Sequence, residues 1–358
     1  MAVSTAFLPI WMADRGIDAG QIGTLLGLAS LVRLLAVPLW GAAADRVGRR
    51  RPMLLLAAAS AGVAVACFPL ATGMTALLAL VTVQGISAAA LTPLADTLTL
   101  ALAAAGRLTY GRTRAWGSAS YMLATAAAGP VLGWAGSWLV PGLIAAGFGT
   151  AALMASALPE PARVPSLNRE TSGLLRQPAV RLAIMASALI QGSHAAYYGF
   201  AALYWRSAGL NDTTIGLLIA EGIVMEVVLF VWGGRWVARL GPARLTACAA
   251  VGCLVRWTVL AGTTALPVLI VVQVLHAATF AMQHLSSMAV LSRFVPANRA
   301  AGAQALHSAL GFSAPAGLLI WLVGLGFGHY GGLVFLPMAV LGGAGLLLVR
   351  PLADLGRA

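Results

Sequence analysis

Read for polarity alone, the chain is a succession of long apolar runs cut by short polar breaks. The runs fall at about 1–14, 20–43, 52–71, 75–104, 115–136 and 138–158, then at about 179–206, 213–236, 243–262, 264–291, 300–326 and 329–349. Most hold the ~20 apolar residues that an α-helix needs to cross a ~30 Å hydrocarbon layer. In lipid, backbone groups must be paired within their own segment, so runs of this length predict helices. The pattern therefore predicts an all-α integral membrane protein of twelve transmembrane helices in two sets of six. Its one long polar stretch, residues 159–178, holds four prolines, three arginines and two glutamates. Such a stretch marks a boundary, which divides the chain into a bundle at 1–158, a linker at 159–178 and a bundle at 179–358.

The chain also matches itself at a shift of 193 residues without a gap. Phe7 meets Phe200, Gly16 meets Gly209, Ile22-Gly23 meets Ile215-Gly216, and Leu25 meets Leu218. Gly41, Arg46, Gly48 and Arg51 meet Gly234, Arg239, Gly241 and Arg244. Asp45 meets Ala238, so the second copy has lost the acid. A repeat of this kind predicts two pseudo-symmetric bundles. It also places the start of the seventh run, near Pro178, about fifteen residues before the position equivalent to Met1. The first run is thus expected to be a truncated helix, about 20 Å long at ~1.5 Å per residue.

Composition agrees with burial in lipid: 60% of the 358 residues are hydrophobic and 9% are charged. All 22 basic side chains are arginine, and the net charge is +12. That charge would suit a nucleic-acid ligand if it formed one surface, but it sits in the short breaks. Eighteen arginines fall on one side of the expected layer and two, Arg15 and Arg206, on the other. The excess predicts that the arginine-rich side and both termini are cytoplasmic. Lipid, not nucleic acid, is then the expected surrounding. Cys67, Cys248 and Cys253 lie in apolar runs, so neither a disulfide framework nor a metal or other cofactor is expected. A single chain is expected to act as a monomer.

Charges inside apolar runs are costly and usually face a cavity or a partner. Arg33 lies in the second run, Asp96 in the fourth, Glu221 and Glu226 in the eighth, and Arg256 in the ninth. The 193-residue shift superposes Arg33 on Glu226, so opposite charges occupy equivalent places in the two halves. They are expected to pair, or to exchange partners as the halves rock, unless each is satisfied within its own half. Glu221 and Glu226 are five residues apart and diverge around their helix. In the seventh run, Gln191, His194 and Tyr198 share one helical face, with Ser193 and Tyr197 beside them. That stripe either lines a cavity or packs helices together, and its density of polar and aromatic groups favours the cavity. His276 and His284 of the tenth run can each relay a proton or simply be hydrogen-bonded.

The break Gly41-Ala-Ala-Ala-Asp-Arg-Val-Gly-Arg-Arg50 resembles the signature loop between helices 2 and 3 of the major facilitator superfamily. Together with Arg33, Asp96, Tyr110-Gly-Arg-Thr-Arg-Ala-Trp-Gly-Ser118, Gln191-Gly-Ser-His-Ala-Ala-Tyr-Tyr198, Tyr204-Trp205, Glu226, Arg256-Trp257 and the His276–His284 segment, it is similar to the phenylpropionate permease group, itself of the lactose permease type. The resemblance implies a twelve-helix inner-membrane proton symporter for a small organic solute, an aromatic carboxylate among the candidates, working by alternating access. Glu226, with Glu221, His276 or His284, is the expected proton-coupling group. Arg33 or Arg256 is the expected counter-charge for an anionic substrate, and Gln191, His194, Tyr197 and Tyr198 are expected to form the contact surface. Gly41, Asp45, Arg46, Gly48 and Arg49, with Asp96 and Arg112, are expected to form a cytoplasmic gate of two loops, 41–51 and 110–114. A sugar or nucleoside symporter and an exporter of drugs or metabolites fit the same scaffold, and so does a receptor without flux. An intramembrane enzyme is disfavoured: HExxH, GxSxG and paired catalytic aspartates are absent from the sequence.

Overall fold

A computed structural model describes residues 2–104, 106–159, 173–232, 234–296 and 299–355. The first half of the chain folds as α1 (Ala2–Asp14), α2 (Ala19–Val47), α3 (Arg50–Ala66), α4 (Met74–Ala89), α5 (Leu91–Ala104), α6 (Tyr110–Ala135) and α7 (Val140–Ala157). The second half folds as α8 (Pro178–Ile190), α9 (Ala195–Ser207), α10 (Asp212–Trp232), α11 (Gly234–Gly262), α12 (Leu266–Gln273), α13 (Gln283–Phe294), α14 (Ala300–Ser308), α15 (Ala314–Tyr330), α16 (Phe335–Gly343) and α17 (Val349–Asp354). Short 3-10 or π turns carry several of these onward, as at Gly192–His194, Ala277–Met282 and Ala309–Ser313. The joined segments follow the order of the apolar runs, and no strand occurs among the described residues. Eight stretches among the described residues are long and apolar enough to cross a membrane by length and composition. The last of them, Gly302–Asp354, turns at Gly331 (φ 51°). The expected linker lies mostly outside the described residues.

Two expected loops are shorter than the sequence suggests. The helix α2 runs through Gly41, Asp45 and Arg46 to Val47, which leaves only Gly48 and Arg49 between it and α3. Gly48 adopts φ 68° and returns its N–H to the Ala44 carbonyl, 2.9 Å away, a left-handed cap that glycine takes without strain. The segment 110–114 is likewise the first turn of α6 rather than a loop. At the end of α2 the small residues Gly41-Ala-Ala-Ala44 continue the helix past the apolar stretch, and at the start of α6 the polar Tyr-Gly-Arg-Thr-Arg segment is itself helical.

Local geometry repeats along with the sequence. Gly48 (φ 68°) is matched by Gly241 (φ 71°), the point where α11 kinks. Gly16 (φ 77°) is matched by Gly209 (φ 91°). The Asp18 carboxylate accepts the N–H of Gln21 at 2.9 Å, and 193 residues later the Asn211 amide oxygen accepts the N–H of Thr214 at 2.8 Å. Both side chains cap a helix start, so the two halves carry the same punctuation as well as related apolar faces.

Among the described residues, three helix pairs carry most of the join between the halves: α1 with α9, α2 with α15, and α6 with α10. Their closest approaches use glycine. A Cβ at Gly23 would stand 2.8 Å from Gly324 Cα, and one at Gly27 would stand 2.7 Å from the Gly317 carbonyl oxygen. A Cβ at Gly129 would stand 2.7 Å from the Asp212 carbonyl oxygen. All of these contacts lie toward the end where α1, α6, α9 and α15 terminate, the arginine-poor end. On α2 the stripe that begins at Gly27 and Leu31 continues to Leu35 and Leu39, which are 72% and 68% exposed. The halves meet at the arginine-poor end and part toward the arginine-rich one.

Candidate functional site

Between the halves lies a cavity of about 490 Å³. The first half contributes Ser4 and Thr5 of α1, Arg33 of α2, Gln84 of α4 and Tyr121 of α6. The second half contributes Tyr197 and Tyr198 of α9, Glu226 of α10, His276, and Phe280 and Phe312. Phe280 and Phe312 sit on the two π turns, and their ring centroids are 6.1 Å apart. A π turn adds a residue to the helical register and re-aims the side chains that follow, and such turns recur at functional sites. Here they deliver two phenyl rings to one wall. Arg33 and Glu226, equivalent in the repeat, line the same cavity from the two halves.

Behind the second-half wall is a layer of buried polar side chains anchored on Arg256. Its Nη1 donates to His276 Nδ1 at 2.9 Å and to Thr279 Oγ1 at 3.1 Å, and its Nη2 donates to Gln273 Oε1 at 2.9 Å. The guanidinium also lies 4.6 Å from the centre of the Tyr197 ring and 4.7 Å from that of Trp257, within cation–π range. Gln273 Nε2 donates in turn to the Tyr197 hydroxyl and to the Leu218 carbonyl, each at 2.8 Å. These bonds fix the imidazole. Arginine has only donors, so His276 Nδ1 must be the accepting nitrogen and the ring is neutral with its proton on Nε2. His276 Nε2 lies 3.6 Å from Glu226 Oε2 and presents that proton to the carboxylate.

The same logic fixes His194, which is fully buried. Its Nδ1 lies 3.1 Å from the Ile190 carbonyl and donates to it, and its Nε2 accepts from the Thr279 hydroxyl at 3.1 Å. The ring meets Trp257 edge-on, with centroids 4.9 Å apart.

Of the residues singled out from the sequence, the structure brings Arg33, Tyr197, Tyr198, Glu226 and His276 to one cavity. It places Gln191, His194 and Arg256 behind the wall instead. The seventh-run stripe is real, but its Gln191 and His194 end faces helix neighbours while Tyr198 faces the cavity. Glu221 and His284 are half-buried away from the cavity. Thr5, Tyr121, Phe280 and Phe312 were not singled out. Phe280 had a signal, since it lies four residues after His276 on one helical face; Tyr121 stands among small residues with no companion to mark it.

The expected gate residues fall at the end of α2 and the turn after it, on α5, and on the first turn of α6. Asp45 Oδ1 holds Arg50 Nη2 at 3.1 Å, and Arg51 donates to the Ser156 carbonyl, which ties the start of α3 to the end of α7. Gly41 is buried in α2, while Arg46, Arg49 and Arg112 are exposed. Asp96 is half-buried on α5, and among the described residues neither it nor Arg112 takes part in an ion pair.

The chain matches the MFS_1-like family over residues 1–336. It is 29% identical over 350 residues to a probable 3-phenylpropionic acid transporter of Escherichia coli (strain K12), covering 94% of this chain and 90% of that protein. It is 27% identical over 312 residues to a maltose permease of Geobacillus stearothermophilus, covering 85% of this chain and 78% of that one. Among solved structures, the nucleoside transporter NupG matches with a TM-score of 0.78 at 14% identity, over 100% of this chain and 95% of its own. A D-xylose-proton symporter matches with a TM-score of 0.76 at 16% identity, over 97% and 93%. At such identities the structural likeness speaks for the fold alone. The relatives are transporters rather than enzymes, and a chain of membrane-spanning helices around a central cavity is built for the same task. It belongs to the MFS_1-like family of the major facilitator superfamily.

Proposed function

We propose that this chain is a proton-coupled symporter of a small organic anion, an aromatic carboxylate of the phenylpropionate kind, working by alternating access. One observation carries the reading: a single cavity sets Arg33 on one half against the Glu226–His276 pair on the other, with tyrosine and phenylalanine rings between them. Arg33 is the cation that a solute in this cavity reaches, and a planar ring fits among Tyr121, Tyr198, Phe280 and Phe312. The likeness to a phenylpropionic acid transporter supports the same substrate class.

Glu226 is the proton carrier in this scheme. An ionised carboxylate moved through a closed, dry cavity without its partner costs roughly 3 kcal/mol at mid-membrane depth. Protonated, it crosses without that cost, so closure around the solute favours the loaded form. When the cavity opens again the proton leaves, and the carboxylate turns to the fixed Nε2–H of His276. His276 acts as a neutral donor here rather than as the titrating group, because Arg256 occupies its other nitrogen. Residues 1–158 and 179–358 would move as two bodies about the 159–178 linker. With the arginine-rich end cytoplasmic, the state described is the inward-facing one, and the cavity within a single chain suits a monomer.

The test is external pH in vesicles holding the purified protein, recorded as phenylpropionate, a sugar and a nucleoside are added in turn. Alkalinisation with phenylpropionate, absent in Glu226→Gln, is the expected result. A response to the sugar or the nucleoside alone would move the substrate class, and acidification would point to an exporter.

A further inference from the structure

At the arginine-poor end three charged side chains meet across the join between the halves. Arg206, at the end of α9, donates through Nη1 to both oxygens of Asp14, at the end of α1, at 2.9 and 2.8 Å. Its Nε lies 3.4 Å from Oδ1 of Asp212, the first residue of α10. Ser137, in the turn between α6 and α7, donates to Asp14 Oδ2. Asp14 and Ser137 belong to the first half, Arg206 and Asp212 to the second. Of these side-chain contacts, the Asp14–Arg206 pair crosses between the halves.

We propose that Arg206 is the latch of this face and is handed from Asp14 to Asp212 each time the halves part. Asp212 is built to receive it. Its Oδ1 is buried and has no hydrogen-bond partner, though it stands within ion-pair reach of the guanidinium. Leaving a buried carboxylate oxygen unpaired is costly, and a small turn of Arg206 toward its own half would satisfy it. What prevents that turn is Asp14, which holds the opposite edge of the guanidinium.

The motion that frees Arg206 also uncovers Asp212. The start of α10 is pressed against α6 at Gly129, so separation of the halves there opens the space around Asp212. The charges then balance in both states. Closed, one arginine serves two acids; open, Arg206 pairs with Asp212, and Asp14, already 41% exposed, keeps Ser137 and meets water. Arg206 is never stranded. The repeat explains the geometry: Asp14 is equivalent to Ser207, the neighbour of Arg206, so two related helix ends meet near the axis between the halves. Identical ends would bring like charges together, and here the two copies have diverged to opposite ones.

The two acids therefore have opposite roles, which simple adhesion would not give. The readout is a spin-label distance between Thr72→Cys and Ala208→Cys, on exposed turns of the two halves at this end, in protein whose native cysteines are replaced by alanine. No solute is needed, so the result does not depend on the substrate. Asp14→Asn should raise the long-distance population up to about fivefold, the range of a partly exposed ion pair. Asp212→Asn, measured alone and in the Asp14→Asn background where the open state is populated, should lower it. The proposal is overturned if Asp212→Asn raises that population or leaves it unchanged in both backgrounds, or if Asp14→Asn has no effect. Monodisperse elution of each variant shows that the comparison is between folded proteins.

Discussion

At the scale of single residues, the chemistry of the cavity rests on a donor that cannot accept. Arg256 fills Nδ1 of His276, so the imidazole faces Glu226 as a fixed Nε2–H. Replacing His276 by asparagine should lower proton-coupled uptake by about tenfold or more, the scale of losing a buried hydrogen bond to a charged group. His284→Asn, on a residue away from the cavity, should change it little; equal losses in initial uptake rate would contradict this assignment. Arg33 and Glu226 allow a second test. Each single charge reversal should abolish uptake, and the exchanged pair Arg33→Glu with Glu226→Arg should restore part of it. No recovery would mean that the two charges act independently. Five residues of the cavity were legible in the sequence because a charge, a histidine or clustered tyrosine stands out in an apolar run. Phe312 and Tyr121 were not, since aromatic rings count as apolar in a membrane helix and only the π turn and the packing decide which way they face. Arg256 misled for a related reason. A charge inside a run announces a partner but not whether that partner is solute or protein.

At the scale of elements, glycine sets how the halves close. The α2–α15 seam at Gly23 and Gly324 leaves no room for a side chain, as close helix approach in membranes commonly requires. Gly23→Val should therefore keep the arginine-poor end from sealing. The expected outcome is labelling of a cavity cysteine from that side together with slow or absent transport; unchanged labelling would show that the seam is not the seal. The turn at Gly48 gives a stability test. Its φ of 68° costs a residue with a Cβ about 1 kcal/mol, so Gly48→Ala should lower thermal stability modestly. The helices themselves were legible from run length, and the repeat from a gapless shift. Helix ends were not, because polar residues, Asp45 and Arg46 on α2 and Arg112 and Arg114 on α6, read as loop in the pattern of polarity although they stand in helix. Nor was the capping pair Asp18 and Asn211, which carries the repeat through different residue types that do the same job.

At the scale of the whole molecule, two related halves share one cavity, are joined at one end and are parted at the other. That arrangement is one of the two states that alternating access requires. In the proposed mechanism, the charge of a protonatable acid decides which loads can pass through the closed state between them. Fold alone does not choose the solute, and neither the loop signature nor the repeat in the sequence bears on that choice; the cavity wall does. Coupling of proton flow to solute flow through Glu226 is tested by accumulation of labelled phenylpropionate in vesicles with an imposed acid-outside gradient. The wild-type protein should concentrate the solute above its external level only while the gradient lasts, and Glu226→Gln should still exchange internal for external solute without concentrating it. Accumulation that ignores the gradient, or a Glu226→Gln protein that concentrates solute as the wild type does, would contradict the account.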